Sequence, residues 1–176
     1  MARRRSPPAS ANPSRSVYAT ALGLVARREL SAAQVRQRLE ARGFPSEAIQ
    51  TTLERLESNG AIDDRRTARA IARTEVRRSR GPSRVRRVLE QAGLARDVVR
   101  DALQEAFADT SERDAIDRAL ARRYRRRLVD LTNPAEIGRM RGYLLRQGFS
   151  ASAITDVLAR RRRGPRGNVE PDDGEV

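Results

Sequence analysis

The chain has no cysteine, no histidine and, although 37 of its 176 residues are basic, no lysine. Without Cys or His it has no disulfide, thiol nucleophile, imidazole base or zinc-finger ligand set. Nothing in it calls for an oxidising compartment, and a cytoplasmic location is expected. Aromatic residues make up only 3% against 38% hydrophobic residues in all. Leu, Ile, Val and Ala must therefore do the packing, which suits contacts between small helices better than one thick core. No apolar run approaches the roughly 20 residues of a membrane-spanning helix. "VYATALGLVA" (17–26), behind "RRR" at 3–5, imitates the apolar part of a signal peptide. It is followed at once by "RREL" with no small-residue cleavage site, and its pattern continues as an amphipathic helix. Neither export nor membrane attachment is expected.

What the chain does have is arginine. All 37 basic residues are Arg, and the formal net charge is +14. The choice of Arg over Lys matches the codon bias of a GC-rich genome, but the excess of charge itself calls for a polyanion or an acidic protein surface. Residues 1–15 are rich in Pro, Ser and Arg and read as a disordered basic arm; residues 164–176 read as a disordered acidic tail. The excess charge therefore resides in 16–163.

Within that body one phrase is written three times. Aligning Gly43, Gly93 and Gly148 brings Val35, Val85 and Met140 into register, and likewise Leu39, Leu89 and Leu144. After the glycine come Phe44, Leu94 and Phe149, then Ile49, Val99 and Ile154, then Leu53, Leu103 and Leu158. Apolar positions four apart on both sides of a glycine spell helix, stop, helix. A third helix precedes each pair: about 15–28, 63–79 and 111–131. "SAAQ" (31–34) is a capping box, "GP" (81–82) restarts the chain, and Asn133, Pro134 and Glu136 form the third start signal. No segment alternates with period 2. The expected fold is all-α: three tandem three-helix repeats, at 16–60, 61–109 and 110–163, forming an elongated curved array in which each copy is one packing module.

Catalytic chemistry finds little support. Asp63 and Asp64 are adjacent carboxylates, but neighbours on a helix point about 100° apart, which suits one metal poorly. Asp63 reads as the N-cap of the next helix, and no third acid gathers nearby. There is no nucleophile elbow and no phosphate-binding glycine loop. The expectation is no enzyme, no catalytic residue, no metal and no cofactor.

The arginines show order. Arg65, Arg69, Arg73 and Arg77 recur every four residues along one helix face, and Arg80, Arg84 and Arg87 continue onto the next helix. A solvated face normally interleaves acids at i±4, and this stripe has none on its own helix, since Glu75 lies on another side. A partner that neutralises it is expected. "RRYRRR" (122–127), with Arg122, Arg123 and Arg126, adds a second patch, and "RRRR" (160–163) a third. The planar guanidinium fork suits phosphates and carboxylates. The sparse aromatics read as packing residues, so base stacking is not indicated; any contact with single- or double-stranded DNA is expected at the phosphates, without sequence specificity.

Two families of function fit. Residues 26–62 scan like a helix-turn-helix DNA-binding repressor, but a wing would need two strands after "NGAI", where strongly helical sequence follows. The better match is "LESNGAIDDRRTARAIARTEVRRSRGPSRVRRVLEQAGL" (56–94). It resembles the central part of the RecX family, in the order and spacing of its glycine, "DD", basic helix, "GPSRV" and "LEQAGL". The flanking copies extend the likeness over 16–163. The resemblance implies a helical-repeat protein that lies in the groove of the RecA recombinase filament on DNA; a monomer is expected. It would restrain the filament's ATP hydrolysis and strand exchange in recombination and repair. The matched positions Gly60, Asp63, Asp64, Ala68, Gly81, Leu89 and Gly93 read as structural. Where the family usually has Phe or Tyr, this chain has Thr67, which is expected to weaken a hydrophobic staple against Ile62.

Overall fold

The computed structural model describes residues 13–125 and 129–163. Among the described residues there is no strand and there are nine α-helices. They are α1 (Pro13–Val25), α2 (Ala32–Glu40), α3 (Ser46–Ser58), α4 (Asp64–Arg77), α5 (Pro82–Gln91), α6 (Arg96–Phe107), α7 (Glu112–Tyr124), α8 (Pro134–Gln147) and α9 (Ala151–Arg163). The fold is all-α, as the periodicity requires. α1 starts at Pro13, inside the stretch read as an arm, because Pro is pre-set for a first helical turn. The rest of the arm and the acidic tail lie outside the described residues.

The chain forms two compact units, one of residues 13–74 with 86–106, the other of 75–85 with 107–163. The division runs through α4 and α5. In the first unit α1, α2 and α3 close on a core of Val17, Ala21, Val35, Leu39, Ile49, Leu53 and Leu56. In the second, α7, α8 and α9 close on Ile116, Ala119, Leu120, Met140, Leu144, Phe149, Ile154 and Leu158. These cores hold the apolar positions that recur in the first and third copies. Each fully buried Leu or Ile contributes about 1.5–3 kcal/mol.

The glycine stops are built alike. Gly43, Gly93 and Gly148 take φ of 77°, 71° and 90°, the left-handed conformation that ends a helix. In each case the glycine N–H donates to the carbonyl three residues back and the next N–H to the carbonyl five back: Phe44 to Leu39 (3.3 Å), Leu94 to Leu89 (3.4 Å), Phe149 to Leu144 (3.3 Å). Leu94 and Phe149 are buried and Phe44 half-buried beside these turns.

The start signals also hold. Ser31 Oγ accepts from the Gln34 N–H at 3.1 Å while the Gln34 side chain accepts from the Ser31 N–H at 3.4 Å, which closes the capping box. Asn133 Oδ1 accepts from Ala135 N–H at 2.9 Å. α7 is shorter than its apolar pattern suggests. It ends at Tyr124, not near 131. Residues 129–133 form a turn in which Asp130 accepts from the Thr132 N–H at 2.8 Å. Leu131 keeps its place against the α7–α9 core from outside the helix, which is why it continued the pattern.

The same junction is made once in each unit. In the first, the start of α2 meets the end of α5: Ser31 Oγ donates to the Ala92 carbonyl, and a Cβ on Gly93 would stand 2.5 Å from Ala33 Cβ. In the second, the start of α5 meets the end of α8. Gly81 N–H donates to the Gln147 carbonyl at 2.8 Å and Ser83 N–H to the Gly148 carbonyl at 3.1 Å. A Cβ on Gly148 would lie 2.4 Å from the Arg84 nitrogen. One helix start thus packs on the glycine stop of a later copy.

Asp63 and Asp64 both serve this framework. Asp63 Oδ1 accepts from the Arg66 N–H at 2.9 Å, the expected cap; that bond, chiefly, holds its carboxyl below the usual range. Asp64 turns the other way, and its Oδ1 accepts from the Ala32 N–H, an orphan donor in the first turn of α2, at 2.9 Å. Thr67 corrects an expectation. It is fully buried, with its hydroxyl 3.3 Å from Glu29 Oε2 and 3.4 Å from the Leu30 carbonyl. A polar tether to the α1–α2 loop stands where only a weakened hydrophobic staple was expected.

Candidate partner-binding surface

α4 is strongly amphipathic. Ala68 and Ala72 are buried, while Arg65, Arg69, Arg73 and Arg77 are exposed on the opposite face. The face is not as uncompensated as its own helix suggests. Within the first unit α6 presents Asp97, Asp101 and Glu105 at the same four-residue spacing. Arg65 lies 3.7 Å from Asp97 and 3.5 Å from Asp101, and Arg69 lies 4.0 Å from Glu105. The compensating acids come from the neighbouring helix α6, not from α4 itself. These contacts are long and solvent-exposed, so each holds its arginine by no more than about 1 kcal/mol. Arg73 makes no ion pair among the described residues, and Arg87 is exposed on α5.

Other arginines of the predicted set are spent on the fold. In the second unit Arg80 hydrogen-bonds Gln147 Oε1 and lies 3.9 Å from Glu75, which is itself only 9% exposed. Arg84 Nη1 donates to the Arg146 carbonyl at 3.1 Å. Both therefore fasten the junction at Gly148. Arg122 Nη1 donates to the Arg77 carbonyl at 3.2 Å, joining the ends of α7 and α4. Arg123 is exposed and stands over the Tyr143 ring, 5.7 Å from its centroid. Arg126 lies outside the described residues. In the "RRRR" run Arg160 and Arg161 both reach Asp117, and Arg113 pairs with Asp156 at 2.8 Å, so α9 is strapped to α7 by charge.

The structure also brings together residues that sequence reasoning passed over. Tyr124 and Tyr143, read as packing residues, meet edge to face at 6.5 Å between centroids. With Arg123, Arg139, Met140 and Arg146 they line a cleft of about 330 Å³ in the second unit. The available signal was the spacing of Arg139, Tyr143 and Arg146 on one face of α8.

Asp63 and Asp64 each bind a backbone N–H, and no group of three or more acidic, His or Cys side chains that could hold a metal occurs among the described residues. Residues 61–63 lead directly into α4, leaving no wing for a repressor. No helix of the described residues is long and apolar enough to cross a membrane.

Taken together these features define an arginine-rich protein of tandem three-helix modules with its basic residues displayed on helix faces. A model of the first three-helix domain of RecX matches residues 18–56, and one of the second three-helix domain matches 63–103. The chain is 33% identical over 148 residues to a regulatory protein RecX of Pseudomonas fluorescens, covering 83% of this chain and 92% of that one. It is 33% identical over 161 residues to a regulatory protein RecX of Halorhodospira halophila, covering 88% and 96%. The crystal structure of RecX from Lactobacillus salivarius shares the fold with a TM-score of 0.67 at 18% identity, covering 86% of this chain and 97% of that one. The chain belongs to the RecX family of regulatory proteins.

Proposed function

We propose that this protein binds the filament of the RecA recombinase on DNA and restrains its ATP hydrolysis and strand exchange. The observation that carries the reading is the face of α4, where Arg65, Arg69, Arg73 and Arg77 stand exposed one turn apart opposite buried Ala68 and Ala72. A cationic row of this kind suits a groove lined with carboxylates and DNA phosphates. The ion pairs of Arg65 and Arg69 are weak enough to exchange for an anion on the partner. Arg80 and Arg84 serve binding only indirectly, by holding the second unit together, whereas Arg73, Arg87 and Arg123 are the contacts most open to a partner. The protein acts as a monomer in the cytoplasm without catalytic chemistry of its own, and its folded body is three copies of the module, at 16–60, 61–109 and 110–163.

The test is Arg69→Glu with Arg73→Glu. Both positions lie off the buried face of α4, so circular dichroism should report unchanged helicity. The variant should lose inhibition of RecA's DNA-dependent ATPase and fail to co-sediment with RecA on single-stranded DNA, because two attractive contacts become repulsive. Parent binding should weaken steeply with salt. A folded variant that inhibits as well as the parent would remove the α4 face from the interface. A repressor would instead bind duplex DNA sequence-specifically without RecA.

A further inference from the structure

Apart from Arg123, the cleft between the end of α7 and one face of α8 takes no part in the reading above. Along α8, Arg139, Met140, Tyr143 and Arg146 recur at helical spacing and so share a face. Met140, 2% exposed, forms the apolar floor. Tyr143 and Tyr124 are half-buried with their rings nearly perpendicular, at 87°. Arg139 and Arg146 lie one turn before and one turn after Tyr143, roughly 10 Å apart along the axis.

Its charge is one-sided. Glu136, the one carboxylate of the lining, already faces Arg139 at 3.5 Å and accepts from the Asp130 N–H at 2.9 Å. Among the described residues no carboxylate pairs with Arg123 or Arg146, and both are exposed. The cleft thus joins an aromatic surface to excess positive charge, which calls for a flat ligand carrying anionic groups.

The spacing of Arg123 from Tyr143 narrows the choice. Elsewhere in the molecule Arg55 lies 4.1 Å from the centroid of the Tyr18 ring, which is van der Waals contact. Arg123 stands 5.7 Å from the Tyr143 centroid, a distance that leaves a gap. Two such contacts in series span roughly 7–8 Å. An exposed guanidinium moving outward by about 2 Å would admit one planar ring between itself and Tyr143. We propose that this cleft binds one base of a single-stranded nucleic acid, stacked on Tyr143 beneath Arg123, with the phosphates on either side held by Arg139 and Arg146. A carboxylate-bearing peptide would satisfy the arginines but has no flat group to fill the gap at each point of charge. A duplex would have to give up a paired base to enter, so the site favours single strands. The inference does not rest on the filament reading, since it concerns nucleic acid alone.

The experiment titrates the full-length chain, without RecA, into two fluorescently labelled oligonucleotides of equal length. One is oligothymidylate; the other is abasic and carries the same phosphates. The parent should bind the thymidylate strand roughly tenfold more tightly, the scale of one stacked base. Tyr143→Ala should abolish that difference while leaving affinity for the abasic strand unchanged, and Tyr143→Phe should retain it. Arg146→Gln should weaken both strands alike. The parent comparison and the Phe variant decide the matter even if Tyr143→Ala misfolds. Equal parent affinity for the two strands, or discrimination that survives Tyr143→Ala in a folded protein, would overturn the proposal. So would displacement of the thymidylate strand by an acidic peptide as effective as a strand of equal charge. None of these outcomes touches the ATPase arm of the α4 test; in its co-sedimentation arm, single-stranded DNA without RecA is the control that accounts for binding at this cleft.

Discussion

Gly43 and Gly148 occupy the same place in two copies of one module, yet the molecule asks different things of them. Both take positive φ, 77° and 90°, and both end a helix with the same pair of backbone hydrogen bonds. Around Gly43 a Cβ would meet nothing within 4 Å. At Gly148 it would meet the Arg84 nitrogen at 2.4 Å and Arg84 Cβ at 2.6 Å. The first glycine serves only its own turn. The other also lets another helix start close upon it. A repeated motif can therefore carry one local role in every copy and a packing role only where a neighbour docks.

The comparison predicts unequal costs for one substitution. Gly148→Ala has the largest expected effect, since the left-handed penalty of about 1–2 kcal/mol is joined by overpacking against backbone that cannot rotate away. A loss of about 3–5 kcal/mol is expected, seen as a fall of roughly 10 °C or more in melting temperature. Gly43→Ala should cost only the left-handed term. Equal melting temperatures for the two variants would mean that the close approach at Arg84 contributes nothing.

Gly93 sharpens the same point, because its neighbour is a side chain that can be removed. Gly93→Ala should cost about 2–4 kcal/mol, as its Cβ would fall 2.5 Å from Ala33 Cβ. Ala33→Gly on its own loses up to about 1 kcal/mol of helix propensity. The double variant should be more stable than the sum of the two losses predicts, by an interaction energy that chemical denaturation can read. Simple additivity would show that α2 and the Gly93 turn do not touch in solution.

The contrast also marks what could be read from the chain. Helix order, the glycine stops, the capping box at Ser31 and the caps at Asp63 and Asn133 all depend on residues within five positions of one another, and these were legible. Burial at Val35, Leu39, Ile49 and Leu53 followed from spacing alone. What escaped depends on partners 30 or more residues away, or on the next helix. Asp64 was read only as a companion of Asp63, because Ala32, its partner, lies 32 positions back. Thr67 looked like a weakened staple until the Leu30 carbonyl stood beside it. The α4 arginines looked uncompensated because their acids sit on α6, and Tyr124 and Tyr143 looked like separate packing residues because only the turn into α8 brings them together. The length of α7 is hidden in the sequence for a different reason: Leu131 satisfies the helical period while packing from outside the helix.

The smallest expected effect separates the two aspartates that begin α4. Asp63 caps its own helix through the Arg66 N–H, while Asp64 caps α2 across the unit. Asp63→Ala should cost about 0.5–2 kcal/mol, the usual value of a side-chain cap. Asp63→Asn keeps an acceptor oxygen and should lose less, only the part due to negative charge at a helix N-terminus, about 0.3–1 kcal/mol. That part has a pH signature. The Asp63 carboxyl is held below its usual value, chiefly by the Arg66 N–H bond, so the folded protein binds its proton less readily than the unfolded chain does. Its contribution is therefore complete above about pH 4, where the unfolded carboxyl is ionised, and fades as pH falls through the lower folded value. Melting curves of the parent and Asp63→Asn should lie apart at pH 7 and converge near pH 2. A gap that persists in acid would mean that Asp63 stabilises α4 by its shape, with its charge contributing nothing.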